Sequence, residues 1–259
     1  MRMQRVTIVG TGLIGGSMAL ALKRAFPGLH VAGIDKPDVL ERARRLNIVD
    51  GIEQRPADLI ILAAPVGGIL KLLDQFATET TLVTDVGSTK VSICNKAERL
   101  GIRFVGGHPM AGVEHSGPDA ANADLFHNAP YFLCRTPSTP DGAVERMSEI
   151  AEAIGAIPQV ISPENHDRLV AQISHLPQII STALADQTAA HATVAGPGLR
   201  SMTRLAASPF HVWHDIFKTS GFLPQELQTF IEHLQRILDS LEAGKFDELE
   251  TLFKTRSSE

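Results

Sequence analysis

The chain has 259 residues, a net charge of −5 and 44% hydrophobic residues, values typical of an ordinary globular protein. This charge does not favour a nucleic-acid partner, and no Lys/Arg cluster is dense enough to indicate an anionic membrane surface. The only cysteines, Cys94 and Cys134, do not make a disulfide framework. The first residues hold no signal-peptide core, and no apolar run reaches about 18 residues, so a cytoplasmic protein is expected.

Short apolar and β-branched segments alternate with helical patterns through the first 161 residues. Strands are predicted at 5–9, 30–34, 58–64, 81–86, 102–106, 130–135 and 157–161. Helices are predicted from the glycine-rich run at 10–26 and at 37–47, 67–77, 89–100 and 141–154. This alternation is typical of an α/β fold, a Rossmann-like, mainly parallel sheet covered by helices on both faces.

The pattern changes at Ser162, after which no convincing strand occurs. Ser162 and Pro163 have the residue types of a helix N-cap and a first helical position. Further helices are predicted at 163–191, 198–207, 209–218 and 223–242. We therefore predict two domains, an α/β domain over 1–161 and an all-α domain over 162–259.

A glycine-rich run, GTGLIG, follows the first predicted strand and opens a helix. Gly10 permits a tight turn, Gly12 allows a diphosphate to approach the backbone, and Gly15 allows close packing of the helix on the strand. Asp35 ends the second strand, where it can accept hydrogen bonds from ribose hydroxyls. Its charge would repel a 2′-phosphate, so NAD is favoured over NADP, although the neighbouring Lys36 weakens this preference. The run alone is a weak signal, but its context predicts a dinucleotide site.

Four more residues, Leu13, Ile14, Pro65 and Ser88, complete the predicted cofactor set. Leu13 and Ile14 lie between the glycines of the run, and Pro65 follows the apolar strand predicted at 58–64. Ser88 is assigned both to this set and to catalysis.

The segment GGHPMAG raises the question of why a histidine stands beside flexible glycines. It follows predicted strand 102–106, and the segment DVGSTK follows predicted strand 81–86, so His108 and Ser88 are expected at one edge of the sheet. The glycines would leave room for a nicotinamide ring, and Pro109 would fix the direction of the histidine. A neutral imidazole suits removal of a hydroxyl proton during hydride transfer, although a loop histidine that only caps a turn is the alternative.

Five segments taken in order resemble the prephenate dehydrogenase family: VTIVGTGLIGGSMALALK, DVGSTK, GGHPMAGVEHSG, NHDRLVAQISHLPQ and TRLAASPFHVWHDIF. The resemblance covers nearly the whole chain. It implies oxidative decarboxylation of prephenate, arogenate or both on the route to tyrosine, with NAD as cofactor. It also implies that the helical domain binds substrate and forms a homodimer.

The resemblance assigns roles to particular residues. His108 matches the catalytic histidine that hydrogen-bonds the substrate 4-hydroxyl, and Ser88 matches a serine that contacts this hydroxyl and the nicotinamide. Arg204 matches an arginine that binds a substrate carboxylate, in agreement with the fork geometry of a guanidinium. The remaining substrate set comprises Trp213, Glu114, His175 and Gln178, with Glu114 expected in an ion-pair gate.

The chain departs from the family pattern at several positions. Gln178 stands where SHLPH would place a second histidine, and Ser201 replaces an acid expected in the gate with Glu114 and Arg204. Val113 occupies a position often held by threonine. Because none of these affects His108, they bear on substrate preference more than on reaction type.

Two other functions stay open at this point. A β-hydroxyacid dehydrogenase would need a catalytic lysine in the helical domain, but Lys218, Lys245 and Lys254 lie in no such motif. A non-catalytic NAD-binding regulator would need the nucleotide site but not Ser88, His108 and Arg204 together. No HExxH or paired Cys/His spacing occurs, so no metal is expected. The apolar stripe of 222–241 agrees with a homodimer, although core packing explains it too.

Overall fold

The computed structural model describes residues 3–52, 56–112 and 115–254. These residues form two compact units. The first comprises the described residues up to Val170 together with Ala207–Ser220, and the second comprises Ala171–Ala206 together with the described residues from Gly221 onward.

One sheet organises the first unit, with its described strands in the order β3-β2-β1-β4-β5-β6-β7-β8. Neighbouring strands are parallel throughout, except that β6 and β7 are antiparallel. The predicted mainly parallel sheet is therefore confirmed. The strands are β1 Arg5–Val9, β2 His30–Ile34, β3 Gly51–Ile52, β4 Leu59–Leu62, β5 Leu82–Asp85, β6 Phe104–Pro109, β7 Pro130–Arg135 and β8 Ile157–Ile161.

The described α-helices lie between and after these strands. Helices α1 to α6 and α9 belong to the first unit, and α7, α8, α10 and α11 belong to the second. Their bounds are α1 Leu13–Ala25, α2 Pro37–Arg45, α3 Val66–Leu72, α4 Val91–Arg99, α5 Ala143–Ala153, α6 Pro163–Val170, α7 Leu176–Gln187, α8 Pro197–Met202, α9 Phe210–Thr219, α10 Leu223–Glu242 and α11 Phe246–Lys254.

Hydrophobic residues cover both faces of the sheet. Met18 and Leu22 of α1 and Met147 of α5 belong to one buried cluster, whereas Ile69 of α3 and Ile93 of α4 belong to a second. All four residues of β4 are buried, as expected for a strand covered on both sides. The continuous apolar sequence of β4 is the direct result of this burial.

The structure corrects the prediction that the strand ends at residue 106 and that His108 lies in the segment after it. Strand β6 extends to Pro109 and places His108 inside the sheet, opposite Phe132 of β7. The antiparallel pairing with β7 supplies the hydrogen bonds that continue the strand. The glycines serve close packing, because a Cβ at Gly107 would lie 2.4 Å from the carbonyl oxygen of Asp85 and one at Gly106 would lie 2.8 Å from Cys94 Sγ.

The predicted helix over 163–191 is not continuous. It divides into α6, a π-helical turn at Ala171–His175 and α7, followed by a 3₁₀ turn at Ala189–Val194. Pro177, in the first turn of α7, lacks the N–H that a continuous α-helix would need. Strand β3 and helix α11 were not predicted, the first because two residues give no pattern.

Candidate active site

The carboxyl ends of six neighbouring parallel strands, in the order β3-β2-β1-β4-β5-β6, form one edge of the first unit. The chain passes from β1 to β2 on one side of the sheet and from β4 to β5 on the other, so the strand order reverses between β1 and β4. Ligands of such sheets bind beyond the strand ends at the point of reversal. All of the predicted cofactor residues lie in segments at this edge. They are Gly10, Gly12, Leu13, Ile14 and Gly15 after β1, Asp35 after β2, Pro65 after β4 and Ser88 after β5.

The glycine turn has the geometry that a diphosphate requires. Gly10 has φ +98°, and a Cβ there would lie 2.2 Å from the carbonyl oxygen of Ala63. A Cβ at Gly15 would lie 1.8 Å from the carbonyl oxygen of Gly10, whereas one at Gly12 would meet nothing within 4 Å. No side chain caps the N-terminus of α1 at Gly12. The turn thus presents amide donors and open space to an anion, and it fits a dinucleotide.

Asp35 has a structural role that the sequence did not reveal. Its Oδ2 accepts hydrogen bonds from the backbone N–H of Thr11 at 2.6 Å and from Thr11 Oγ1 at 3.1 Å. Its Oδ1 accepts one from the N–H of Lys36 at 2.7 Å. The carboxylate therefore holds the glycine turn.

Helix α9 packs on the same edge through its polar residues. Asp215 Oδ2 accepts a hydrogen bond from the N–H of Gly67, in the first turn of α3, at 2.9 Å. Thr219 Oγ1 lies 2.8 Å from the Oγ1 of Thr89, the residue that follows Ser88. Burial alone would raise the pKa of Asp215, but the bonds from Gly67 and His214 hold that pKa below its usual value. These contacts place α9, with the half-buried Trp213, in the first unit.

His108 is nearly enclosed, with 9% of its surface exposed. Its Nδ1 lies 2.9 Å from Nε2 of His166 on α6, and the two rings meet edge to face. Ser88 is half-buried in the loop after β5, the strand next to β6. The structure thus brings both predicted catalytic residues to neighbouring strand ends.

His166 and Asp167 were missed by the sequence reasoning. His166 Nδ1 lies 2.8 Å from Asp167 Oδ1, and burial lowers the pKa of His166 below its usual 6.5. Asp167 also accepts hydrogen bonds from the N–H groups of Lys90 at 2.6 Å and Val91 at 2.9 Å, at the N-terminus of α4. The adjacent His and Asp in NHDR were the available signal, but their partners lie more than 50 residues away. Because of these contacts α6 packs with the first unit, although it follows the domain boundary predicted at 161/162.

A buried ion pair supports the backbone next to His108. Lys90 and Asp85 are both fully buried and form a salt bridge. Lys90 Nζ also donates to the carbonyl oxygen of Gly107 at 2.7 Å, and the N–H of Gly107 donates to Asp85 Oδ1 at 3.0 Å. Because removal of one member would leave an uncompensated buried charge, this pair holds β5 and β6 together firmly.

The second unit carries three of the predicted substrate residues. His175 and Gln178 are buried in the π-helical turn and α7, and Arg204 is exposed in a 3₁₀ turn, Arg204–Ala207. Gln178 Nε2 donates to the carbonyl oxygen of Leu205 at 2.9 Å. The N–H of Ala206 donates to Ser181 Oγ at 3.1 Å. Helix α7 thus holds the turn that bears the arginine.

Glu114 and Val113 lie outside the described residues, so the expected gate is not described, and Ser201 is exposed on α8. Within 3–52, 56–112 and 115–254, no group of three or more His, Cys, Asp or Glu residues is arranged to hold a metal ion. Over the same residues, no helix is both long and apolar enough to span a membrane.

Comparison with known proteins gives two family matches that together span most of the chain. Residues 18–160 match the model described as prephenate dehydrogenase, nucleotide-binding domain. Residues 162–255 match the model described as prephenate dehydrogenase, dimerization domain. These models meet near the boundary expected from the sequence, although the compact units divide after Val170.

Individual relatives agree with these matches. A prephenate dehydrogenase of Lactococcus lactis is 33% identical over 256 residues, which cover 91% of this chain and 70% of that protein. The crystal structure of A. aeolicus prephenate dehydrogenase with hydroxyphenyl propionate and NAD+ has a TM-score of 0.92 at 28% identity, covering 98% and 96% of the two chains. Synechocystis arogenate dehydrogenase has a TM-score of 0.83 at 30% identity, covering 98% of each chain.

Proposed function

Because the chain belongs to the prephenate dehydrogenase family, we propose that it catalyses the NAD-dependent oxidative decarboxylation of prephenate to 4-hydroxyphenylpyruvate, of arogenate to tyrosine, or of both. The family expected from the sequence motifs is thereby confirmed. The observation that carries the proposal is the position of His108 and Ser88 at the same strand edge as an open glycine turn. The family match also argues against a β-hydroxyacid dehydrogenase.

NAD+, when bound at the glycine turn, supplies the acceptor for the hydride that leaves ring C4. His108 accepts a hydrogen bond from the 4-hydroxyl, takes its proton as the hydride leaves, and returns it to the phenol oxygen. Ser88 orients the same hydroxyl. The ring carboxylate leaves as CO2, and its bonding electrons complete the aromatic ring. A general base of this kind contributes about 10²- to 10⁴-fold to the rate.

Substrate carboxylates are assigned to the residues implied by the family motifs. Arg204 binds one carboxylate in a bidentate fork, because its planar guanidinium matches that geometry. His175, Trp213 and Glu114 complete the proposed substrate set. Gln178 belongs to the proposed substrate set as well. Its hydrogen bond to the carbonyl oxygen of Leu205 supports a role in holding the turn that bears Arg204.

The proposal includes a homodimer formed by the second unit. The match to a dimerization domain supports it, as does an outward apolar stripe on α10 that includes Ile231, Leu234, Leu238 and Leu241, each at least 45% exposed in the single chain. A cytoplasmic location is part of the same proposal, supported by the free thiols of Cys94 and Cys134.

The test is NADH formation at 340 nm with purified protein. Prephenate and arogenate are supplied in parallel with NAD+, and a third arm replaces NAD+ with NADP+. Turnover of at least one substrate with NAD+ is expected, and the relative kcat/KM values identify the preferred one. Binding of NAD+ without turnover of either substrate would overturn the proposed reaction and favour the non-catalytic regulator.

A further inference from the structure

We propose that His166 and Asp167 are positioning residues that fix the orientation and tautomer of His108, so that Nε2 of His108 is its basic nitrogen. The catalytic meaning of this arrangement rests on the proposed function. Its structural basis is a series of two side-chain contacts. Asp167 Oδ1 lies 2.8 Å from His166 Nδ1, and His166 Nε2 lies 2.9 Å from His108 Nδ1.

The backbone of α4 determines the direction of the first hydrogen bond. The N–H of Lys90 points to Asp167 Oδ1 and the N–H of Val91 points to Asp167 Oδ2. Because a backbone N–H can only donate, both carboxylate oxygens act as acceptors. The Nδ1 of His166 therefore carries the proton that it shares with Asp167.

The direction of the second hydrogen bond follows from the first. Burial lowers the pKa of His166, so its imidazole is neutral near pH 7 and holds one proton, which is on Nδ1. Its Nε2 is then an acceptor, and the Nδ1 of His108 must donate to it. A neutral His108 protonated at Nδ1 has its basic lone pair on Nε2, the nitrogen that takes the hydroxyl proton.

The surroundings hold this series in one geometry. His166 and Asp167 are 0% and 1% exposed, and the His166 ring also meets Phe132 of β7 edge to face at 5.3 Å. Apart from Asp167, the charged groups that act on His166 are Lys90 and Asp85. These two neutralise one another in their own salt bridge. Asp167 is therefore the charge that stabilises a proton gained by the two histidines.

The direct test is the tautomer of His108, measured by the ¹⁵N shifts of histidine-labelled protein with NAD+ bound. The His108→Asn variant identifies the resonances by their loss. Native His108 is expected to show a protonated Nδ1 and an unprotonated Nε2. His166→Phe removes the acceptor, so the population with Nε2 protonated is expected to rise. His166→Gln retains a carbonyl acceptor and is expected to remain closer to the native protein.

Kinetics provide the second readout. His166→Phe is expected to lower kcat by about 10- to 100-fold, the usual loss when an orienting partner is removed, with little change in the KM for NAD+. The rising limb of kcat against pH is expected to move to lower pH, because the His108 imidazolium loses the hydrogen-bond acceptor that stabilises its charge. His166→Gln should restore part of kcat and move the limb back. Thermal unfolding and NAD+ binding show that each variant is folded.

The outcomes separate this inference from the proposed reaction. A native His108 protonated at Nε2 would overturn the inference, and so would a His166→Phe protein whose tautomer and pH limb match those of the native protein. Equal losses in His166→Phe and His166→Gln with an unmoved limb would reduce His166 to a packing residue. If the expected tautomers are found but neither substrate is turned over, the proposed reaction fails and the positioning role stands.

Discussion

At the residue scale, the residues proposed to contact ligand differ from those that support the backbone beneath them. Gly12 and Ser88 face the strand edge, whereas Asp85 and Lys90 are buried beneath it. Asp35 combines the two tasks, because it holds Thr11 and also stands at the end of β2. Its substitution is therefore expected to disturb the glycine turn as well as the proposed binding of ribose.

We expect His108→Asn to lower kcat by about 10²- to 10⁴-fold while the Kd for NAD+ stays near the native value. The amide retains hydrogen-bonding capacity but cannot take a proton at neutral pH. Stopped-flow or steady-state NADH formation measures kcat, and fluorescence titration measures the Kd. His127→Asn, an exposed substitution, is the matched control. A native kcat in His108→Asn would remove His108 from the mechanism.

The sequence predicted His108 and Ser88 as catalytic candidates but did not reveal His166, the residue that contacts His108. A catalytic histidine could be inferred from its place after a strand near a glycine fingerprint. His166 gave no comparable signal, because its partner His108 is 58 positions away and the contact exists only after β6, β7 and α6 have packed. Asp215 was missed for the same reason, since it bonds Gly67 across 148 positions.

At the element scale, α9 is fixed to the first turn of α3 by a charge-assisted hydrogen bond. Asp215→Ala should lower the free energy of unfolding at neutral pH by about 1–2 kcal/mol, because it removes the acceptor for the N–H of Gly67. Urea denaturation measures this difference. Asp141→Ala, on an exposed loop, is the control and should change stability little.

The same bond predicts a pH dependence with a definite sign. The pKa of Asp215 is lower in the folded protein than its usual 3.8, so its stabilising effect is present above that value. As pH falls below 3.8 and through the lowered pKa, the carboxylate takes a proton. The difference in stability between native protein and Asp215→Ala should therefore shrink over this range. A difference that stays constant would show that Asp215 acts by packing alone.

Helix α7 holds the turn at Arg204–Ala207, and this contact predicts an effect on the KM for the substrate. Gln178→Leu removes the donor to the carbonyl oxygen of Leu205, so the turn bearing Arg204 is held less firmly. We expect the KM for the substrate to rise about tenfold, equivalent to about 1.4 kcal/mol, with the KM for NAD+ unchanged. Gln178→His, which can still donate, is the comparison. Equal KM values in Gln178→Leu and native protein would contradict this role.

At the scale of the whole molecule, the second unit exposes an apolar stripe on α10. We expect Leu234→Glu, in the middle of this stripe, to turn a dimer into a monomer, because an unpaired charge would be buried at the interface. Gln225→Glu adds the same charge on the opposite side of α10 and should leave the dimer intact. Light scattering at micromolar concentration gives both masses. A native protein of monomeric mass would exclude the dimer.

Local patterns in the chain were enough to predict most of the architecture. Glycine, apolar and β-branched spacing are properties of neighbouring residues, so they indicated the dinucleotide turn, the main strands and the change to helices at Ser162. The longer motifs indicated the family. These predictions needed no knowledge of which distant segments meet.

Packing between distant segments accounts for the features that were not predicted. Antiparallel pairing with β7 makes residues 106–109 of GGHPMAG part of β6, and the carboxylate of Asp167 closes the N-terminus of α4 while bonding His166. The strand pairing and the bonds from Asp167 to α4 join residues far apart in the chain, and their energy appears only when the groups are buried together. The protonation of His108 depends on these contacts, because its neighbours in space determine which of its nitrogens must donate.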